Sequence, residues 1–246
     1  MSTTKKIALV TGGNKGLGLE TSRQLAAQGI TVLLGARDLA KGEAAAAPLK
    51  AEGLDVRAVK IDVDDRADHA AIAAFIEKEY GVLDILINNA GIMVDGEIFT
   101  NTTLKVTEEN LHKTFDTNFF AVVALTQTLL PLIRKSEAGR IVNLSSILGS
   151  LTLHATEGSP IYEAKGFAYD TSKTALNSYS IHLAHALKDT KIKVNSAHPG
   201  WVKTDMGTDA APMNVEDGSK TSVWLATLPE DGPTGGFFHM QDTLPW

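Results

Sequence analysis

"TGGNKGLG", residues 11–18, follows the short aliphatic run 7–10 and leads into a stripe formed by Gly18, Ser22, Leu25 and Ala26. Those four recur at i, i+4, i+7 and i+8, the period of a helix with one buried face, and Gly29 stops it. A glycine-rich turn between a strand and a helix is the setting that a dinucleotide loop requires. Glycine permits positive φ and close backbone approach, and the helix start offers unpaired N–H groups and a positive dipole end to a pyrophosphate. The glycines at 12, 16 and 18 spell G-x-x-x-G-x-G instead of G-x-G-x-x-G, so a purely structural turn stays open as the alternative.

Outward from this loop, short β-branched or aliphatic runs occur at 6–11, 31–36, 55–61, 84–91, 140–146, 191–197 and 236–240. Most are too continuously apolar to have one wet face, which predicts strands of a parallel sheet covered on both sides. Helical patterns fill the gaps. Ile72, Phe75, Ile76 and Tyr80 form one stripe, and Thr107 is an N-cap opening a long helix to about residue 130. Pro48 is expected to kink or shorten the alanine-rich helix before it. The alternation predicts an α/β fold: one Rossmann-type, doubly wound domain over 1–246, with about seven strands, mostly or wholly parallel.

Composition narrows the function. With 246 residues, 43% apolar and 21% charged, the chain reads as globular. A net charge of -6 without a basic face argues against nucleic acid and anionic membranes as partners. The absence of cysteine removes disulfides, thiolate metal sites and thiol nucleophiles. The N-terminal apolar run is too short for a signal sequence or a membrane span, so a cytoplasmic protein is expected. No metal site is expected: His182 and His185 lie three apart without a third ligand, and "DVDD" (62–65) lacks the glycine and terminal Glu of a calcium loop.

The end of the second strand bears on the cofactor. A free ribose 2′-hydroxyl is met by an acidic residue about 20 positions after the loop. Here Ala36 and Arg37 stand there, with Lys15 inside the glycine loop; two cations suit the 2′-phosphate of NADP(H), with NAD the alternative. Asp38 fits as the N-cap of the next helix.

Tyr169 and Lys173, in "YDTSK", are four apart on a predicted helix. Alone, the pair could be an exposed phenol beside an exposed ammonium. However, Tyr169, Ser172, Leu176, Tyr179 and Leu183 share a face, so the phenol begins an inward stripe. Asn118 falls on the stripe Leu111, Phe115, Phe119, Val122, which directs its amide inward, where it must find partners. Ser145 and Ser146 end the fifth strand, at the sheet edge where α/β folds bind ligands; a turn serine is the alternative. Lowering a phenol from about 10 towards 7 needs roughly 4 kcal/mol, and a helix N-terminus supplies at most about 2. A cation within about 4–6 Å, such as Lys173, is the right kind of additional contribution.

In this order "TGGNKGLG", "NNAG" (88–91), "NLSS" (143–146), "YDTSK" (169–173) and "HPGWVKTDM" (198–206) resemble the short-chain dehydrogenase/reductase family over nearly the whole chain, and most closely its carbonyl-reductase branch. The resemblance implies a catalytic set of Asn118, Ser146, Tyr169 and Lys173, with Ser146 chosen over Ser145. It implies cofactor contacts from Gly12, Asn14, Lys15, Gly16, Leu17, Gly18 and Arg37, and from Asp62 and Val63 at the adenine. Further contacts are implied from Asn89, Ala90 and Gly91, from Tyr169 and Lys173 themselves, and from Pro199, Gly200, Val202 and Thr204. The implied activity is NADPH-dependent reduction of a ketone or aldehyde, Tyr169 giving the proton and Asn118 supporting a water path. An NAD-dependent alcohol dehydrogenase and a nonenzymatic NADP-binding sensor are the alternatives.

The segment 147–168 between Ser146 and Tyr169 is longer than in many members and is expected to border the substrate. Its Leu148, Leu151, Leu153, Ile161, Tyr162 and Phe167, with Met93, Trp201 and Met206, suggest a hydrophobic carbonyl substrate. Longer segments here accompany monomers in the resembling branch, so a monomer or homodimer is favoured, with a tetramer possible.

Overall fold

A computed structural model describes residues 5–96 and 101–246; the first four residues of the N-terminal stretch weighed above lie outside it. In chain order the elements are β1 (Ile7–Val10), α1 (Gly16–Ala27), β2 (Thr31–Ala36), α2 (Leu39–Ala51), β3 (Val56–Lys60), α3 (Arg66–Glu79) and β4 (Ile85–Asn88). There follow α4 (Glu108–Phe115), a π-turn (Asp116–Phe120), α5 (Ala121–Ile133), β5 (Arg140–Leu144), a 3₁₀ turn (Ile147–Gly149), α6 (Leu151–Ala155), α7 (Phe167–Ala186) and β6 (Lys193–His198). The chain closes with α8 (Val215–Gly218), α9 (Lys220–Ala226), β7 (Phe237–His239) and β8 (Asp242–Thr243).

The strands form one sheet in the order β3-β2-β1-β4-β5-β6-β7-β8, parallel up to β7. β8 is an eighth strand, antiparallel to β7, which the apolar pattern did not reveal because its two residues are exposed. Alternate residues of each strand feed two cores. Ala8 and Val10 pack with Leu25 of α1, Leu49 of α2 and Val223 of α9. Ile7 and Leu9 pack with Ile76 of α3, Leu129 of α5 and Leu183 of α7. Burial on both faces is why the strands read as unbroken apolar runs. The order reverses between β1 and β4, so a crevice opens at the carboxyl ends there, where doubly wound sheets take ligands.

Local capping follows the sequence. Asp38 accepts from the N–H of Lys41, and Thr107 from that of Asn110. α2 instead runs through Pro48 to Ala51. The carbonyl freed by the missing N–H belongs to Ala44, which is exposed and can turn to water. The long helix after Thr107 is broken by the π-turn and continues to Ile133. This run, Glu108–Ile133, is long and apolar enough to cross a membrane by length and composition, but half of its apolar window is buried, with Leu125 and Leu129 in the sheet's core.

Candidate active site

At the carboxyl end of β1, Gly12 adopts φ 63°, and Gly18 passes so close beneath it that a Cβ there would strike the Gly12 carbonyl. α1 begins with no side-chain cap at Lys15 and no acid in its first turn, so its leading N–H groups face outward uncapped. This cradle suits a pyrophosphate. Asn14 is half-buried beside it and Leu17 lines the neighbouring cavity. The "NNAG" turn is latched to the loop from beneath: Asn89 Nδ2 donates to the Thr11 carbonyl at 2.8 Å, and Thr11 Oγ1 accepts the N–H groups of Asn89 and Ala90 at 3.0 Å. Asn89 thus acts largely through the loop it holds.

The cationic end is separate. Arg37 is exposed at the end of β2, and Lys15 is exposed and ion-paired to Asp205 across the crevice. Asp62 and Val63 follow the adjacent β3. Their turn is fixed by Asp68, which accepts the Asp62 N–H at 2.8 Å, and by buried His69, whose Nε2 lies 2.7 Å from the Val63 carbonyl oxygen. Neither Asp68 nor His69 stood out in the sequence.

Below the crevice lies a cavity of about 330 Å³. Ser146, Tyr169 and Lys173 line it, as do Asn89 and Gly91. Pro199, Gly200, Val202 and Thr204 close another side. The structure therefore brings together three of the four expected catalytic residues. Tyr169 and Lys173 are 8% and 4% exposed, and the Lys173 ammonium stands 5.5 Å from the centre of the phenol ring. Lys173 Nζ donates to the Leu144 carbonyl at 2.8 Å; a Cβ on Gly91 would only touch it at 3.5 Å but would crowd Asn118 Oδ1 at 3.2 Å. Burial raises the Tyr169 pKa above its ordinary value, opposed by the Ser146 hydroxyl beside it and reinforced by Asp170. Burial lowers Lys173 to about 8. In this state desolvation outweighs any pull of the ammonium on the phenol, so Tyr169 holds its proton.

Asn118 sits in the π-turn, fully buried. Its Oδ1 accepts the Ile92 N–H at 2.8 Å, while its Nδ2 donates to the Ile92 carbonyl at 2.8 Å and to Ser172 Oγ at 3.0 Å. The amide is thus spent on clamping the segment after β4 against α7. π-turns inside helices concentrate at functional sites, and the 3.6-residue stripe gave no sign of this one.

Three further features escaped the sequence reading. Asp95 caps α7, accepting the N–H groups of Ala168 and Tyr169, while Thr102 Oγ1 accepts that of Phe167. A buried polar chain runs from Asn88 Nδ2 to Asn143 Oδ1 (2.8 Å) and from Asn143 Nδ2 to Ser180 Oγ (2.9 Å), tying β4 and β5 to α7. Third, His154 of α6 places Nε2 at 2.9 Å from the Leu148 carbonyl oxygen and 3.3 Å from buried Asp170, with Lys165 on Nδ1 at 3.0 Å. No local pattern marks the long-range partners of the first two, and those of His154 lie in or just beyond a segment that has no regular period.

Of the apolar wall expected from 147–168, Leu148 and Ile161 line the cavity, as do Met93, Trp201 and Met206. Leu151, Leu153, Tyr162 and Phe167 do not; Leu151 is 64% exposed, because the short α6 turns it outward. His182 and His185 are exposed, and among the described residues no acidic or histidine cluster could hold a metal.

A family model described as short chain dehydrogenase matches residues 6–214. Carbonyl reductase [NADPH] 1 of Homo sapiens is 36% identical over 286 aligned positions, covering 100% of both chains. Among solved structures, salutaridine reductase from Papaver somniferum matches with TM-score 0.82 at 32% identity, over 95% of this chain and 99% of its own. NADPH-bound carbonyl reductase from chicken fatty liver matches with TM-score 0.85 at 28% identity, over 99% and 100%.

Proposed function

From the premise that the chain belongs to the short-chain dehydrogenase family, we propose that it reduces a ketone or aldehyde to an alcohol with NADPH, Tyr169 donating the proton. It is an NADP-dependent oxidoreductase, in keeping with relatives named as NADPH carbonyl reductases. The observation that carries the finer reading is the buried Tyr169, with Ser146 beside its phenol and Lys173 within reach of its ring, on the wall of a largely apolar cavity.

The cofactor would be held by Gly12, Asn14, Gly16 and Gly18 at the pyrophosphate and by Lys15 and Arg37 at the 2′-phosphate. Asp62 and Val63 would take the adenine, Lys173 the ribose, and Val202 and Thr204 the nicotinamide end. When bound, NADPH supplies the hydride. Ser146 holds the substrate oxygen by a hydrogen bond. Tyr169 keeps its proton in the dry cavity until negative charge develops on that oxygen, then gives it up; positioned acid catalysis of this kind is typically worth 10²- to 10⁴-fold. The Lys173 ammonium steadies the phenolate that results. Asn118 positions the Ile92 segment and, through Ser172, the base of α7, next to the path by which Tyr169 would be reprotonated. The chain works as one unit, with 147–168 as the substrate-side wall, in the cytoplasm.

The test is NADPH consumption across aldehydes, aryl ketones, diketones, keto esters and quinones, run beside NADH. The reading predicts turnover of at least one class with a strong preference for NADPH. Equal rates with NADH, or activity confined to NAD and alcohols, contradict it.

A further inference from the structure

The mechanism leaves two buried polar side chains of the cavity, Ser145 and His198, without a task. His198 closes β6, borders the cavity and is 8% exposed. Its Nδ1 accepts the N–H of Ile147, the residue after Ser146, at 3.1 Å. An imidazole nitrogen that accepts carries no proton, so the neutral ring has its one N–H at Nε2. The ring stays neutral at ordinary pH: burial, with neighbouring His239, lowers its pKa to about 3. His239 donates from its own Nδ1 to the His198 carbonyl oxygen at 3.0 Å; the two rings lie 5.0 Å apart, tilted by 44°, and among the described residues no hydrogen bond joins them. Among the described residues, nothing accepts from His198 Nε2. Ser145 Oγ also lacks a partner, but it is sealed from solvent.

We propose that His198 is a specificity-determining residue whose Nε2–H faces the cavity and donates to a second acceptor of the substrate, next to the carbonyl being reduced. Because the ring is bonded to the residue following Ser146, the two donors share one wall. They would together receive an α- or β-dicarbonyl or a keto ester, whose neighbouring oxygens match neighbouring donors. Much of the remaining lining, Met93, Leu148, Ile161 and Trp201 among it, presents apolar surface, so an acceptor placed elsewhere would be desolvated without compensation. This assignment rests on the carbonyl-reductase reading above.

The test compares ethyl benzoylformate with 2,2,2-trifluoroacetophenone, two activated aryl ketones of which only the first carries a second carbonyl. Asn at position 198 keeps an acceptor for the Ile147 N–H but withdraws the donor; Gln extends a donor to about the Nε2 position. The preference for the keto ester, as a ratio of kcat/KM values, falls about 3- to 10-fold in His198→Asn, the range of one neutral hydrogen bond, and is retained in His198→Gln. Thermal unfolding and NADPH binding of both variants show that they are folded. If both variants slow the two ketones equally, or the ratio does not move, His198 merely supports Ile147 and the proposal falls. If wild type reduces neither ketone, nor any carbonyl in the wider screen, it is the parent reading that fails, and this one with it.

Discussion

The carboxylate of Asp95 accepts the backbone N–H of Tyr169 at 2.6 Å and that of Ala168 at 3.2 Å, so the helix carrying the phenol starts where the segment after β4 lets it. α7 has no side-chain cap of its own at Gly166. Asp95→Ala is expected to lower stability by about 1 kcal/mol, the usual worth of an N-cap, and to lower kcat more than it raises KM, because it loosens the turn that aims Tyr169. Urea unfolding and steady-state kinetics on the same preparations check this; an unchanged kcat would mean that Asp95 only caps.

Lys173 titrates near 8 in the fold, against 10.5 ordinarily. Below about 8 both folded and unfolded chains carry the charge, and the folded chain bears the full desolvation penalty. Between 8 and 10.5 the unfolded chain binds a proton that the folded chain has released, so stability rises with pH. Lys173→Met lacks this dependence. Its Tm advantage over wild type, measured without cofactor, should be greatest below pH 8 and shrink as pH climbs towards 10. The raised Tyr169 acts oppositely above its ordinary value of 10.0, but equally in both proteins. A Tm difference that stays flat from pH 7 to 10 would show that Lys173 is not a suppressed buried cation.

Arg37 is exposed and makes no hydrogen bond or ion pair among the described residues, whereas Lys15 is held by Asp205. Arg37→Ala is expected to cut kcat/KM for NADPH by about 10- to 100-fold, as for a lost hydrogen bond between charged groups, and to leave NADH nearly untouched. Equal losses with both cofactors would remove Arg37 from the 2′-phosphate.

His154 joins the 147–168 segment to α7. With Lys165 on Nδ1, its Nε2–H is shared between the Leu148 carbonyl and Asp170, whose own pKa is raised by burial and relieved by His154. His154→Ala should cost about 1–3 kcal/mol by stranding buried acceptors and should raise KM for bulky ketones with a smaller change in kcat, since Leu148 lines the cavity. Unchanged KM values would mean that the segment is held by its apolar packing alone.

The sheet was legible because two-sided burial writes itself as unbroken aliphatic runs, and the candidate pair Tyr169 and Lys173 because the phenol begins an inward helical stripe. The glycine loop was legible because backbone approach needs glycine itself. What stayed hidden depends on distant partners. Asp95, His154 and His198 act through groups 51 to 74 positions away, or through an insertion with no local period. The π-turn at Asn118 leaves the composition of its helix unchanged, so only coordinates reveal it. The apolar count of 147–168 overstated the pocket wall, because apolar character does not tell inward from outward in a segment with so short a helix.

The proposed reaction depends above all on the Tyr169 hydroxyl delivering the proton to the reduced carbonyl. Its most direct test is the single-turnover rate of Tyr169→Phe carrying bound NADPH, with the best substrate from the screen. A fall of about 10²- to 10⁴-fold with NADPH affinity retained is predicted; a rate equal to wild type would contradict it.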